Sequence, residues 1–190
     1  RLDAAYSPRT KALIVQHTYG IAQEMEPVLK WAKERGVPII EDCCHAFGSK
    51  YNGKLCGTFG VASFFSGQWN KPFSTGLGGM LLVNRADLRE KVEAIYREAP
   101  RPPLSAEIRF KAQILAYRWI VSPQTIGWIT LVYRWLSKFG VAAGSSSMDE
   151  FAGRMPKDYF RRMAKCQQNE GKNNLAGIDT ALSHRRLIAG

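Results

Sequence analysis

Two short apolar runs with one amphipathic stretch between them constrain this chain more than any other feature. Ala12 to His17 is apolar and of strand length. Met25, Val28, Leu29 and Ala32 then recur at helical spacing until Gly36 supplies a stop, and Val37 to Asp42 forms the second run. Strand, helix and strand at these lengths make a crossover unit, so the sheet is at least partly parallel and belongs to an α/β fold. The second run ends in Glu41-Asp42. Two carboxylates therefore stand at the carboxyl end of a buried strand, where open α/β sheets bind ligands.

Val61 to Ser66 reads as a third strand and Gly79 to Asn84 as a fourth. The loop between them is too short for a crossover helix, so this pair is antiparallel or separated in the sheet. Asp87 to Glu98 follows as an amphipathic helix with Leu88, Val92 and Ile95 on one face. Residues 1–99 thus form the central sheet part, and the character changes at Pro100-Arg101-Pro102-Pro103. Residues 100–147 read as an aromatic-rich helical insertion, with helices from Ile108 to Ile120 and Thr125 to Lys138 on either side of Ser122-Pro123, and a small-residue linker from Val141 to Ser147. Residues 148–190 read as a helical segment. Between Arg118 and Arg134 there is no charge, yet Pro123 and Gly127 interrupt a run that falls short of the roughly 20 residues needed to cross a bilayer. Two readings of the aromatic residues stay open: packing against the sheet or a dimer partner, and a peripheral membrane contact through residues 108–138 with Trp119, Trp128, Tyr133 and Trp135 as anchors.

The second constraint is chemical. Lys71 lies in the glycine-rich stretch from Phe64 to Gly79, some thirty residues after Asp42. A carboxylate at a buried strand end can hold a pyridine nitrogen protonated, and a lysine in such a loop can form a Schiff base with an aldehyde. Together they are what pyridoxal 5'-phosphate chemistry needs. Lys71 is then the catalytic candidate, as Schiff-base former and as the base that moves the substrate α-proton.

These segments resemble the DegT/StrS family of sugar aminotransferases, which have the aspartate aminotransferase fold. The resemblance runs from Thr10 through His17-Thr18-Tyr19-Gly20, Glu41-Asp42-Cys43-Cys44-His45-Ala46 and the Ser66-to-Gly79 loop to Val83-Asn84, with an echo at Arg154-Met155. It implies a three-layer α/β sandwich with a mostly parallel mixed sheet, the incomplete cofactor-binding large domain of a pyridoxal phosphate-dependent transferase. It also implies cofactor contacts: Asp42 at the pyridinium, His45 where the family usually has a glutamine on the phenolic oxygen, Ser66 at the phosphate, and Lys71 at the aldehyde. Gly76, Gly78 and Gly79 serve backbone conformation. Leu77 departs from the family's glutamate between the glycines, and Ala152 from an asparagine that reaches the phosphate of the neighbouring subunit. By the resemblance the chain is a fragment, without an N-terminal segment that carries the stacking residue and further phosphate donors and without the small C-terminal domain, to which residues 148–190 lead.

The activity so implied is transfer of an amino group, from glutamate, to a keto group of a nucleotide-linked sugar, by a cytoplasmic homodimer serving polysaccharide or other glycan synthesis. Two alternatives are a pyridoxal phosphate-dependent sugar dehydratase, although such relatives carry histidine where this chain has Lys71, and a non-catalytic or regulatory homologue. Composition narrows the partners. The net charge of +11 is spread along the chain without a recognised nucleic-acid module, so nucleic acid is not expected, while anionic cofactors, nucleotide-sugars and membrane surfaces all suit it. Cys43, Cys44, Cys56 and Cys166 show neither disulfide nor metal-ligand spacing, so no metal is expected and a reducing cytoplasm is the simpler setting.

Overall fold

A computed structural model describes residues 1–139, 152–155 and 159–189, so the expected linker at Val141 to Ser147 lies outside the described residues. The elements are α1 (Leu2–Ala5), β1 (Leu13–Gln16), a 3-10 turn (Thr18–Gly20), α2 (Met25–Arg35), β2 (Ile39–Asp42), β3 (Lys50–Tyr51), β4 (Lys54–Leu55), β5 (Ala62–Ser66), β6 (Gly79–Val83), α3 (Ala86–Glu98), α4 (Leu104–Ile120), α5 (Ile126–Lys138), α6 (Lys165–Ala176) and α7 (Ile178–Ala189). Four strands make one sheet in the order β1-β2-β5-β6, the first three parallel and β6 antiparallel to β5. The fold is therefore the expected α/β class with a mixed, mostly parallel sheet. The short loop after β5 resolves the open choice for the last pair: β6 returns beside β5, with Ser66 opposite Gly79 and Ala62 opposite Val83.

α2 covers one face of the sheet. Its Met25 and Ala32 are buried against Val15 and Ile39, with Val28 and Leu29 packed around them. Burial of each such aliphatic side chain contributes about 1.5–3 kcal/mol. The helix stops where the sequence says it should, at Gly36 with φ 63°, whose left-handed backbone lets the N–H of Val37 reach the carbonyl of Ala32. On the opposite face Ile14 and Leu81 are exposed, which leaves room there for a further layer.

The β3–β4 hairpin was not expected from strand periodicity. Its signal is Asn52-Gly53, both at positive φ, a turn pair that matches the strand twist. The aromatic-rich segment forms two helices as expected, but they differ in partners. α4 packs against α6, pairs Arg118 with Glu170 at 2.6 Å and stacks Tyr117 on Trp69. α5 instead exposes Trp128, Leu131, Val132 and Trp135, so these residues do not pack against the sheet.

Candidate active site

Strand alternation separates the two carboxylates at the end of β2, because neighbouring residues point to opposite faces. Glu41 turns toward the α2 side and is fully buried. Its Oε2 accepts from His17 Nε2 at 3.0 Å and from the N–H of Gly57 at 2.7 Å, and its Oε1 accepts from the N–H groups of Phe59 and Gly60, each at 2.7 Å. Burial alone would push this carboxyl up, but the bonds from His17, Gly60, Gly57 and Phe59 outweigh it and hold Glu41 below the usual carboxylate range. His17 Nδ1 accepts from the N–H of Gln23, so Nε2 carries the hydrogen given to Glu41. Glu41 thus ties β1, β2 and the turn before β5 together, and no lone pair is left for a ligand.

Asp42 points to the open face and is half-buried. It accepts from Gln16 Nε2 and from the N–H of Cys44, both at 3.0 Å. The next residues bring the remaining candidates close. Burial and the Asp42 carboxylate push the Cys44 thiol up to about 11, while the Lys71 ammonium and a hydrogen bond with the Ser66 backbone pull against that rise. The geometry agrees in part: β2 and β5 are paired neighbours with Asp42 opposite Phe64, so Asp42, Cys44 and Ser66 stand at the ends of adjacent strands, and the loop that carries Lys71 leaves from that same end. Among the described residues the Lys71 ammonium makes no ion pair, so it is not committed to a structural role. The Ser66 hydroxyl accepts from the N–H of Gln68 at 3.4 Å, which leaves its hydrogen available to donate. His45 Nδ1 accepts from the N–H of Tyr19 at 3.3 Å, so Nε2 is the N–H edge, and the Tyr19 ring stacks on the imidazole. Tyr19 holds a left-handed backbone at φ 56°, a conformation that costs a non-glycine residue about 1–3 kcal/mol.

The lysine loop is closed at its base. Gly67 donates to the carbonyl of Gly78 and accepts from the N–H of Thr75, each at 2.8 Å, and the Thr75 hydroxyl donates to Leu77. Gly76 and Gly78 have φ of 86° and 95°, as expected of backbone glycines; Gly79 serves differently, since a Cβ there would stand 2.4 Å from the carbonyl of Phe65.

α6 then clamps the loop. Gln167 Nε2 donates to the carbonyl of Leu77 and Asn174 Nδ2 to that of Ser74, both at 2.7 Å, while Gly171 lets Thr75 and Phe73 approach the helix. Leu77, where the family carries glutamate, is buried in this contact.

The structure thus brings Asp42, His45, Ser66 and Lys71 to the carboxyl edge of the sheet. Sequence reasoning missed Glu41 as a structural acid, Tyr19 as the support of His45, and the clamp. Alternation along β2 marks the first, and the spacing of Gln167, Gly171 and Asn174 on one helix face marks the third. His17, Glu41 and Cys43 also place ligand atoms within 4.8 Å of one another, but the hydrogen bonds above occupy both Glu41 oxygens and both His17 nitrogens. A shallow groove of about 360 Å³, lined in part by Leu29, Lys33, Phe59 and Arg85, lies at the amino ends of β2 and β5, away from these groups.

A model of the DegT/DnrJ/EryC1/StrS aminotransferase family matches residues 1–118. The chain is 47% identical over 90 residues to the GDP-perosamine synthase of Escherichia coli O157:H7, covering 47% of this chain and 25% of that protein. It is 37% identical over 91 residues to the L-glutamine:scyllo-inosose aminotransferase of Streptomyces griseus, covering 48% and 22%. The chain therefore spans about a quarter of the length of the curated relatives it matches. The fold recurs over 99% of this chain, and 41% of the other, in the E. coli GDP-4-keto-6-deoxy-D-mannose-3-dehydratase, at 19% identity and a TM-score of 0.63.

Proposed function

The chain belongs to the DegT/DnrJ/EryC1/StrS aminotransferase family, and from that premise we propose that it carries the catalytic edge of a pyridoxal phosphate-dependent sugar aminotransferase. The observation that carries this reading is the pairing of β2 with β5, which sets Asp42, Ser66 and the start of the Lys71 loop at one end of the sheet. The donor set suits the cofactor. Asp42 would hold the ring nitrogen, His45 would donate from Nε2 to the phenolic oxygen, the Ser66 hydroxyl would donate to the phosphate, and the Lys71 amine would take the aldehyde. When bound, the cofactor supplies an electron sink for the carbanion next to the reacting nitrogen.

The residues of this chain do the rest. Gln16 and the N–H of Cys44 fix the Asp42 carboxylate from two sides, so its charge stays aimed at one point. Tyr19 fixes the His45 tautomer. The clamped loop positions the Lys71 amine, which takes the α-proton of the amino donor and returns a proton to the acceptor carbon. In the net reaction an amino acid, glutamate in our reading, becomes its 2-oxo acid while the keto carbon of a nucleotide-linked sugar becomes an amine. The names of the relatives support a sugar or cyclitol ketone as acceptor. Lys71 supports transamination over dehydration. A cytoplasmic homodimer is part of the same proposal.

The test uses the complete protein with pyridoxal phosphate. Borohydride reduction and peptide mapping should place the adduct on Lys71; an adduct on another lysine, with Lys71 unlabelled, overturns the assignment. Isotope-labelled glutamate and a nucleotide-linked ketosugar should then give a labelled aminosugar, and labelled product from assorted 2-oxo acids alone would move the enzyme to amino-acid metabolism.

A further inference from the structure

α5 is amphipathic in the wrong direction for a helix that only stabilises its own chain. Trp128, Leu131, Val132, Trp135 and Phe139 recur at the spacing of one helical face, and their relative exposures are 74%, 59%, 54%, 60% and 66%. The face turned inward holds Thr130, Tyr133 and Ser137, all half-buried. On the other side of the elbow, at the end of α4, Trp119 and Ile120 are also 84% and 56% exposed. An exposed apolar helix face of this kind marks an interaction surface.

Charge decides what it meets. Residues 100–139 hold six basic side chains and one acidic, and α5 itself has Arg134 and Lys138 but no acid. Two copies of α5 packed stripe to stripe would set like charges against each other with no carboxylate between them. An anionic lipid surface complements the same pattern, since basic residues beside an apolar stripe with tryptophans are what holds a helix in the headgroup layer. Length excludes the alternative of crossing: among the described residues no helix is long and apolar enough to span a membrane. The elbow suits a water-poor boundary as well. Thr125 Oγ1 donates to the carbonyl of Ile120, the N–H of Ser122 donates to Thr125 Oγ1, and the N–H of Thr125 donates to Ser122 Oγ, so its polar groups are satisfied from within.

We propose that the α4–α5 hairpin docks this protein on anionic membrane surfaces, with Trp119, Trp128 and Trp135 seated in the headgroup layer. The hairpin is joined to the lysine loop through the Trp69–Tyr117 stack at 4.7 Å, so docking would hold the catalytic edge close to the lipid surface. The proposal does not depend on the aminotransferase reading, because it stands on the hairpin alone.

The experiment is flotation of the complete protein with vesicles of phosphatidylcholine alone and of phosphatidylcholine containing phosphatidylglycerol. The expected result is binding to the mixed vesicles only, lost by about tenfold or more in Trp128→Gln/Trp135→Gln and weakened roughly fivefold in Arg134→Gln. These positions are exposed, and an unchanged thermal midpoint confirms that each variant is folded. Three results overturn the proposal: binding that survives the double tryptophan substitution, which would be adsorption by net charge alone; no binding to either vesicle; and no binding together with a dimer that the double substitution splits, which would assign the stripe to a second copy of the chain.

Discussion

Glu41 and Asp42 are neighbours on β2 with the same charge and end in opposite situations. Glu41 is fully buried and its two oxygens take four N–H donors from two other segments of the chain, His17 and the turn from Gly57 to Gly60. Asp42 is half-buried, accepts from Gln16 and the N–H of Cys44, and faces the open side at the end of β2, next to the end of β5 from which the Lys71 loop leaves. A carboxylate whose lone pairs are all used inside the fold contributes stability and has nothing left for chemistry. One that is held from behind and open in front can still bind. The pair teaches that coordination of the side chain, more than its position at a strand end, separates an acid saturated by the fold from one left open to a ligand.

Isosteric amides break the comparison most directly. Asp42→Asn keeps the shape and removes the charge, so transamination by the complete protein should slow on the order of a hundred- to a thousand-fold while its unfolding midpoint stays near wild type. Glu41→Gln does the reverse. The new NH₂ group faces a backbone N–H where Glu41 accepted one, and the variant should lose about 3 kcal/mol in urea unfolding, with the folded enzyme within a few-fold of normal kcat. A stable Glu41→Gln or an active Asp42→Asn would dissolve the distinction.

The framework of the fold was legible in the sequence because it rests on local signals. The β1–α2–β2 unit, the Gly36 stop and the return of β6 beside β5 each follow from a few adjacent residues and a loop length. The β3–β4 hairpin was equally local, and its Asn52-Gly53 signal was present but the flanking runs are only two residues long. The candidate residues Asp42, His45, Ser66 and Lys71 follow from residue type and resemblance, and the strand order brings the segments that carry them to one end of the sheet. What sequence reading missed depends on tertiary geometry. The saturation of Glu41 requires the turn from Gly57 to Gly60 to fold back on β2, and the clamp requires α6 to meet a loop some ninety positions earlier. The outward turn of the α5 stripe was also not fixed by periodicity, since an apolar face is equally compatible with burial.

Acid sharpens the comparison further. The Glu41 carboxyl lies below its ordinary value in the folded chain, so its contribution is fully present above the unfolded-state pKa and is lost as pH falls through the folded one. The stability difference between wild type and Glu41→Gln should therefore be constant above about pH 5 and shrink at roughly pH 4 and below. Urea midpoints of the two proteins across that range measure it. A difference that grows on acidification would reverse the sign and rule out a lowered carboxyl.

The smallest effect tests how the open side is held. Asp42 lies on a strand, but Lys71 lies on a loop, which the hydrogen bonds from α6 hold from outside together with the Trp69–Tyr117 and Phe47–Phe73 ring stacks. Gln167→Met keeps length and apolar contact but removes the donor to Leu77 and the acceptor for the N–H of Ala164. The carbonyl of Leu77 keeps its bond from Thr75, so only the N–H of Ala164 is left unpaired and the cost should be about 1 kcal/mol. If the clamp positions Lys71, the same variant should lower kcat several-fold with KM for the amino donor little changed, because a loosened loop misplaces the amine that moves the proton. If it only adds packing, stability falls by the same amount and kcat does not move. Asn174→Leu removes the second donor to the loop and should reproduce whichever pattern Gln167→Met gives, which distinguishes a property of the clamp from a peculiarity of one hydrogen bond.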